Sequence, residues 1–317
     1  MIENKENTSC SVVIPIHNEE DNLLELYNRL SIVLKNVCEN YEIIFVNDYS
    51  SDKSLEIINN LSLKDSKVKF IDFSRNFGHQ VSITAGMDYS SGEAVVIMDG
   101  DLQDPPELIP KLIEEWKKGF DVVYAVRRKR EGETIFKKIT ASLFYRLFSK
   151  LANINMPLDT GDFRLIDRKV LESLKSIREK HRFMRGLVSW VGYNQTGVFY
   201  DREKRGAGET KYPFFKMLKF SIDGITSFSL IHLKIATFLG FIISSISFLI
   251  GLYFLFIKLF TNKMVQGWIT LAGSILFIGG IQLVILGIIG EYIGRIYEEV
   301  KDRPLYIVKE TRGFERK

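Results

Sequence analysis

Apolar positions along the chain fall into two regimes. Through the first half, short apolar runs alternate with longer stretches in which apolar residues recur at helical spacing. Ser11–Ile16 (SVVIPI) predicts a buried strand. Asn18 is placed to cap a helix whose first turn holds Glu19, Glu20 and Asp21, with Leu23, Leu24, Tyr27, Leu30 and Leu34 as its apolar face. Tyr41–Val46, Val68–Phe73, Ala94–Met98 and Asp121–Val126 predict further strands, and Ser54–Leu63, Val81–Tyr89 and Leu108–Lys118 predict helices between them. This alternation implies an α/β fold with a mostly parallel sheet covered by helices.

Toward the C-terminus the pattern changes. Ile235–Ile257 and Met264–Gly290 carry no charge, and each exceeds the roughly 20 apolar residues that a membrane-spanning helix needs. The glycines within them suit close packing of helices in lipid. The short link Lys258–Lys263 makes the pair a transmembrane hairpin, with both outer flanks on one side. Lys211, Lys216, Lys219 and Lys234 precede the first span; Arg295, Lys301, Arg303, Lys309, Arg312, Arg316 and Lys317 follow the second. The positive-inside rule then places both flanks and the N-terminal domain on the cytoplasmic face of a cell (inner) membrane, although Lys258 and Lys263 weaken the bias. In Phe214–Phe228, Lys216, Lys219 and Asp223 oppose Phe214, Leu218, Ile222 and Ile225. That is an amphipathic helix, lying either in the membrane interface or on the soluble domain. Lys137–Asn153 is a second amphipathic stretch, equally suited to core packing and to membrane contact. The expected division is a domain over 1–210, an interfacial helix over 211–232, two spans over 233–291 and a cytoplasmic tail over 292–317. The N-terminal MIENKENTSCSVV has no apolar core of the kind a cleavable signal peptide requires.

Composition narrows the classes. With 317 residues, 46% hydrophobic and 26% charged, the chain is neither disordered nor a pure membrane bundle. A net charge of +4 with no nucleic-acid motif gives no reason to expect a nucleic-acid partner. Cys10 and Cys38 lack CxxC spacing and read as idle thiols. No GxGxxG follows the first strand, and neither GxxxxGK[ST] nor GxSxG occurs. Dinucleotide folds, P-loop NTPases and serine hydrolases are therefore disfavoured. The four histidines have no zinc-ligand spacing.

Ligands of parallel sheets bind at the carboxyl ends of the strands. Polar residues gather at four of those ends: His17–Glu19, Asn47–Asp52, Asp99–Asp104, and Arg127, Arg128 and Arg130. If the fourth strand stays extended, Asp99 and Asp101 point the same way. Two such carboxylates repel unless a cation lies between them, and oxygen ligands suit Mg²⁺ or Mn²⁺. Gln103 could add a neutral oxygen or hold a water. The alternative is a capping turn before Pro105-Pro106.

VIPIHNEEDN, IIFVNDYSSD, MDGDLQDPPE, DTGDFRLIDR and RGAGETKYP, in that order, resemble the motifs of the family-2 inverting glycosyltransferases with the GT-A fold. They are closest to the polyprenyl-phosphate branch, which includes dolichyl-phosphate mannose synthase and the bactoprenol glucosyltransferases. The resemblance covers nearly the whole chain. It implies a metal-dependent enzyme that moves a hexose, first choice glucose from UDP-glucose, onto polyprenyl phosphate with inversion. It places Pro15, His17, Glu19 and Asp48 at the nucleotide base and ribose, and Asp99, Asp101 and Gln103 at a Mg²⁺ or Mn²⁺ ion on the diphosphate. Asp101 and Asp162 become the candidate catalytic residues, with Asp162 either base or orienting group. Arg127, Arg130, Arg205 and Lys211 become the candidate phosphate and acceptor contacts. The implied partners are a nucleotide-diphosphate sugar, polyprenyl phosphate, the lipid bilayer and, through the membrane part, further copies of the chain. His17 departs from the family's frequent Tyr, and Asn47 and Tyr49 depart from Asp and Gly of its DDGS.

Each residue has an alternative that needs no ligand. Glu19 would serve a helix N-terminus, and Asp162 would pair with Arg164 or Arg168. The arginines at 127–130, with Arg205 and Lys211, would form a basic edge facing anionic lipid. Two rival functions remain beside the main one. One is a polysaccharide-elongating membrane glycosyltransferase, for which the QxxRW motif is missing. The other is a non-catalytic scaffold that binds nucleotide sugars.

Overall fold

A computed structural model describes residues 8–127, 160–201, 231–260 and 267–314. The chain divides into two compact units, one of Met1–Gly224 with Pro304–Lys317 and one of Ile225–Arg303. In the first, strands β1 (Ser9–Ile16), β2 (Asn40–Asn47), β3 (Val68–Phe73), β4 (Ala94–Ile97), β5 (Val122–Arg127), β6 (Thr160–Asp167), β7 (Gln195–Tyr200) and β8 (Val308–Arg312) form one sheet. Its order is β7-β5-β6-β4-β1-β2-β3-β8. β1 pairs in parallel with β2 and β4, β3 with β2, and β7 with β5; β6 and β8 run antiparallel to their neighbours. The expected mostly parallel α/β sheet is what forms.

The helices are α1 (Leu23–Val37), α2 (Ser54–Lys64), α3 (His79–Tyr89), α4 (Ile109–Lys117), α5 (Arg168–Ser176) and α6 (Met184–Trp190). β1 and β2 read as unbroken apolar runs because both faces of the sheet are covered. On one face Leu23, Leu26, Leu30 and Leu34 of α1 pack with Val12, Ile14, Ile43 and Phe45. On the other, Ile44, Val46, Ile71 and Phe73 pack with Ala85 of α3. α3 lies close on β1: a Cβ at Gly86 would stand 2.2 Å from Val13 Cγ1. The N-terminal turn of α3 thus comes to the strands' carboxyl ends. Pro15 is tolerated in a central strand because the β4 ladder ends at Val13↔Ile97, where Met98 N–H still reaches the Val13 carbonyl. The missing Pro15 N–H therefore falls beyond the last β4 residue.

Two details depart from the sequence reading. α1 begins at Leu23, with Asn22 before it. Asn18 cannot cap it, because it lies four residues before Asn22, in left-handed backbone (φ 58°), and its Oδ1 accepts the Ser51 N–H instead. β4 ends at Ile97, so Asp99–Asp104 form a turn rather than extended strand. The premise that Asp99 and Asp101 share a strand face fails for that reason.

The residues after the second long helix also carry a strand. β8 pairs with β3 from Phe70↔Arg312 to Phe73↔Val308. The Tyr306 ring stacks on Phe73 at 5.4 Å, Phe314 meets Tyr89 edge-on at 5.0 Å, and Tyr306 Oη donates to Asp88 at 2.8 Å. The second unit contributes α7 (Ile231–Phe260) and α8 (Trp268–Val300). Both are long and apolar enough to cross a membrane, and hardly any of their apolar windows, Ala236–Tyr253 and Gly273–Val300, is buried.

Candidate active site

At the carboxyl ends of β1 and β2, two loops are laced together by polar groups. Asn18 N–H donates to Ser50 Oγ, Ser51 N–H to Asn18 Oδ1, Glu19 N–H to Ser54 Oγ, Glu20 N–H to Asp52, and Lys53 N–H to Glu20. Asp48 is buried and gives one oxygen to the Phe77 N–H at 2.7 Å and the other to the Gly78 N–H at 2.9 Å. His17 Nδ1 contacts the Asp48 carbonyl at 2.8 Å, and Asn76 Nδ2 donates to the same carbonyl at 3.2 Å. Asn47, the departure from the family's Asp, donates to buried Asp72 at 2.7 Å. A second aspartate there would face a carboxylate instead of donating to one. Tyr49 adopts φ 58° and is 55% exposed. Asn18, Tyr49 and Leu102, at the ends of β1, β2 and β4, are the left-handed non-glycine residues described in this unit. Such backbone strain concentrates at functional sites.

The second half of the site centres on Asp162, buried in β6. Arg185 Nε of α6 donates to Oδ1 at 2.8 Å, and a second guanidinium nitrogen reaches Oδ2 at 3.4 Å. His79 Nε2 and Gln80 Nε2, from the first turn of α3, each lie 3.3 Å from Oδ2. His79 Nε2 is also 3.4 Å from Asp99 Oδ1. Burial raises the proton affinity of Asp162, but Arg185 and His79 outweigh it and hold the carboxyl well below the usual carboxylate range. Burial works against a charged His79, yet Asp162 and Asp99 push it up to about 9, so it is a cation at neutral pH. Arg164 is pulled down to about 10 by burial, which leaves it protonated. It donates to the carbonyls of Asp162 and Gly161. Arg127 donates to Tyr200 Oη at 3.2 Å, and Tyr200 in turn donates to buried Asp104. A Cβ at Gly161 would meet the Arg127 guanidinium at 2.7 Å, so a glycine before Asp162 leaves room for that held side chain.

Asp99 has the donor chemistry of a hard cation site. Its Oδ1 is buried and accepts no hydrogen bond. Burial, with Asp104, Asp162 and Asp101 adding repulsion, raises its pKa to about 6 against the opposing pull of His79. Among the described residues no three carboxylate, imidazole or thiol groups surround one point. A Mg²⁺- or Mn²⁺-type ion held here would have to keep waters and take its remaining oxygens from phosphates. Asp101 also closes the local turn, accepting the Gln103 N–H at 3.2 Å. The capping alternative therefore holds for one of its oxygens. The residues present fit such an ion.

A family model for glycosyl transferase family 2 matches residues 11–175, the segment that contains all of these strand ends except β7 and β8. The chain belongs to glycosyl transferase family 2. It is 58% identical to the uncharacterized glycosyltransferase YkcC of Bacillus subtilis, over 97% of this chain and 95% of that one. It is 42% identical to the SfII prophage-derived bactoprenol glucosyl transferase of Shigella flexneri, over 95% of this chain and 97% of that one. Mannosyl-3-phosphoglycerate synthase from Rubrobacter xylanophilus aligns with a TM-score of 0.49 at 15% identity, covering 71% of this chain and 74% of that one.

In this family-2 glycosyltransferase, Pro15, His17, Glu19 and Asp48 cluster at the ends of β1 and β2, and Asp99, Asp101 and Gln103 share the loop after β4. Glu19 accepts from Asn22 at 2.7 Å, just ahead of α1. Asp162 pairs with Arg185 more closely than with Arg164, whose Nη2 is 3.9 Å away. Arg168 turns instead to the carbonyls of Ser90 and Gly92. Arg128, Arg130, Arg205, Lys211, the stretch Lys137–Asn153 and the helix expected over Phe214–Phe228 lie outside the described residues. His79, Gln80 and Arg185 are the additions. His79 and Gln80 were within reach of the strand-end rule, since Ser74–Gln80 follows β3, a strand end at which no cluster is counted in the sequence. Arg185 sits in a helix with no acidic residue, so any carboxylate partner had to come from another element.

Proposed function

We propose that the chain transfers a hexose, with glucose from UDP-glucose as first choice, to polyprenyl phosphate at the cytoplasmic face of the membrane, with inversion. The observation that carries this is the state of Asp162. A carboxylate that accepts from Arg185, His79 and Gln80 at once is a weak base. A hydroxyl acceptor needs a base; a phosphate is already ionised near neutral pH and needs orientation among cations. Arg185, Arg164, His79 and Arg127 supply those cations. The bactoprenol glucosyl transferase relatives and the two long apolar helices support a lipid-borne acceptor.

In this mechanism a phosphate oxygen of the acceptor attacks the anomeric carbon as its bond to the nucleotide diphosphate breaks. An α-linked donor gives a β-linked product. Asp162 fixes Arg185 and His79 toward the incoming phosphate. Asp99 and Asp101 would hold Mg²⁺ or Mn²⁺, which supplies charge neutralisation to the departing diphosphate. His79 touches both Asp99 and Asp162, so the donor and acceptor halves are joined through one imidazole. Asp48, His17 and Pro15 shape the nucleotide end.

The test is transfer of label by the full chain in lipid, given polyprenyl phosphate, the divalent metal and a panel of UDP- and GDP-sugars. Lipid-linked label from one donor, lost with chelator, is expected. Bound nucleotide sugar with no lipid-linked label from any donor overturns the reading.

A further inference from the structure

α6 has no cap of its own. The residue before it is Phe183, whose side chain offers no acceptor, and no side-chain hydrogen bond closes its N-terminus locally. The Met184 N–H is nevertheless satisfied: Gln80 Oε1, on α3, accepts it at 2.9 Å. This fixes the amide's orientation. With Oε1 committed to Met184, Nε2 faces Asp162 Oδ2 at 3.3 Å. One neutral side chain therefore links the first backbone donor of α6 to the carboxylate that Arg185, the next residue of α6, also binds.

We propose that Gln80 is a positioning residue for the transfer reaction. It caps α6 from α3, sets the register of Arg185 on Asp162, and donates a third hydrogen bond that keeps the carboxylate aimed. It touches neither donor nor acceptor; it acts through Asp162 and Arg185. The inference rests on the reading of Asp162 as the acceptor-side carboxylate.

Gln80→Glu separates this role from a structural one. The new carboxylate still accepts the Met184 N–H, and negative charge at a helix N-terminus is favourable, so the α6 cap survives. The donation to Asp162 is lost and replaced by repulsion. In the full chain in lipid, kcat is expected to fall by about tenfold to a hundredfold, as for loss of a charge-assisted hydrogen bond. KM for the nucleotide sugar should stay within about twofold, the split between kcat and KM that a loss of folding alone would not produce. Gln80→Met, which loses both bonds, should lower kcat at least as far. In an Asp162→Asn background, Gln80→Glu should add little, since both changes act on one unit. A Gln80→Glu enzyme of normal kcat beside an impaired Asp162→Asn enzyme overturns the inference, and so do fully multiplicative effects in the double variant. Normal turnover in Asp162→Asn itself would instead remove the reading of Asp162, and the inference with it.

Discussion

Asp48 and Asp162 are both buried carboxylates at strand ends, yet their oxygens go to different kinds of partner. Asp48 accepts two backbone N–H groups of the loop after β3. Asp162 accepts from three side chains, two of them cationic. Backbone donors cannot leave without unfolding the loop, so the Asp48 end is a fixed frame. Side-chain cations are held at Asp162 by their rotamers alone, so under the proposed reading they are the groups that meet an anionic ligand. Under that reading, polar clusters that look alike in sequence divide into scaffold and reaction centre according to what satisfies them.

The sharpest test of this division is Asp162→Asn. Turnover is expected to fall by about 10²–10³-fold, the range for removing a preorganised electrostatic group, while nucleotide-sugar binding survives. Single-turnover transfer beside equilibrium binding measures both; lost binding with intact folding would erase the distinction between the two ends. Asp48→Ala should do the reverse. Losing two charge-assisted bonds to backbone N–H groups should lower stability by about 3 kcal/mol, seen as an earlier unfolding midpoint, with weakened donor affinity. An unmoved midpoint with abolished chemistry would make Asp48 a second reaction-centre carboxylate.

The core and most of this frame were legible in the sequence. Val68–Phe73 is a strand with the expected limits, and Ser54–Leu63 is a helix one residue longer, because apolar periodicity is set by burial. The Asp99–Asp104 cluster was legible as a polar strand end from its place after an apolar strand. Its geometry was not, because the left-handed Leu102 and the early end of β4 leave no periodic trace. β8 was hidden for a related reason. Its residues, VKETR, are mostly exposed, and an edge strand with one ladder needs little apolar alternation. The ties of Arg185 and His79 to Asp162 span 23 and 83 positions, beyond any local pattern.

Within the frame, Glu42 gives a pH test of smaller effect. Burial raises its proton affinity, but Lys69 at 2.7 Å, Ser11 and Ser91 outweigh that and lower its pKa. A group depressed in the folded state contributes stability that is complete above its unfolded pKa and lost as pH falls through the folded value. Glu42→Gln should therefore cost about 2 kcal/mol near neutral pH, as for a hydrogen-bonded buried charge. The gap from wild type should close as the pH falls below the usual glutamate range and through the lowered folded value. A gap that is constant with pH would mean that shape, and not charge, holds Glu42.

The smallest effect is expected at Tyr49. A left-handed non-glycine residue costs roughly 1–2 kcal/mol, and glycine returns about 0.5–1 of this through its greater freedom when unfolded. No hydrogen bond or aromatic contact holds the Tyr49 ring among the described residues. Tyr49→Gly should then raise stability by about 0.5–1 kcal/mol. Unchanged or lower stability would mean that the ring has a partner in the free protein. The informative comparison is donor affinity in the same variant. If affinity falls while stability rises, the strained ring is kept for the nucleotide, and the frame contributes a ligand contact of its own. If affinity holds, the nucleotide end recognises its ligand without that ring, and Asp48, His17 and the laced loops carry the recognition.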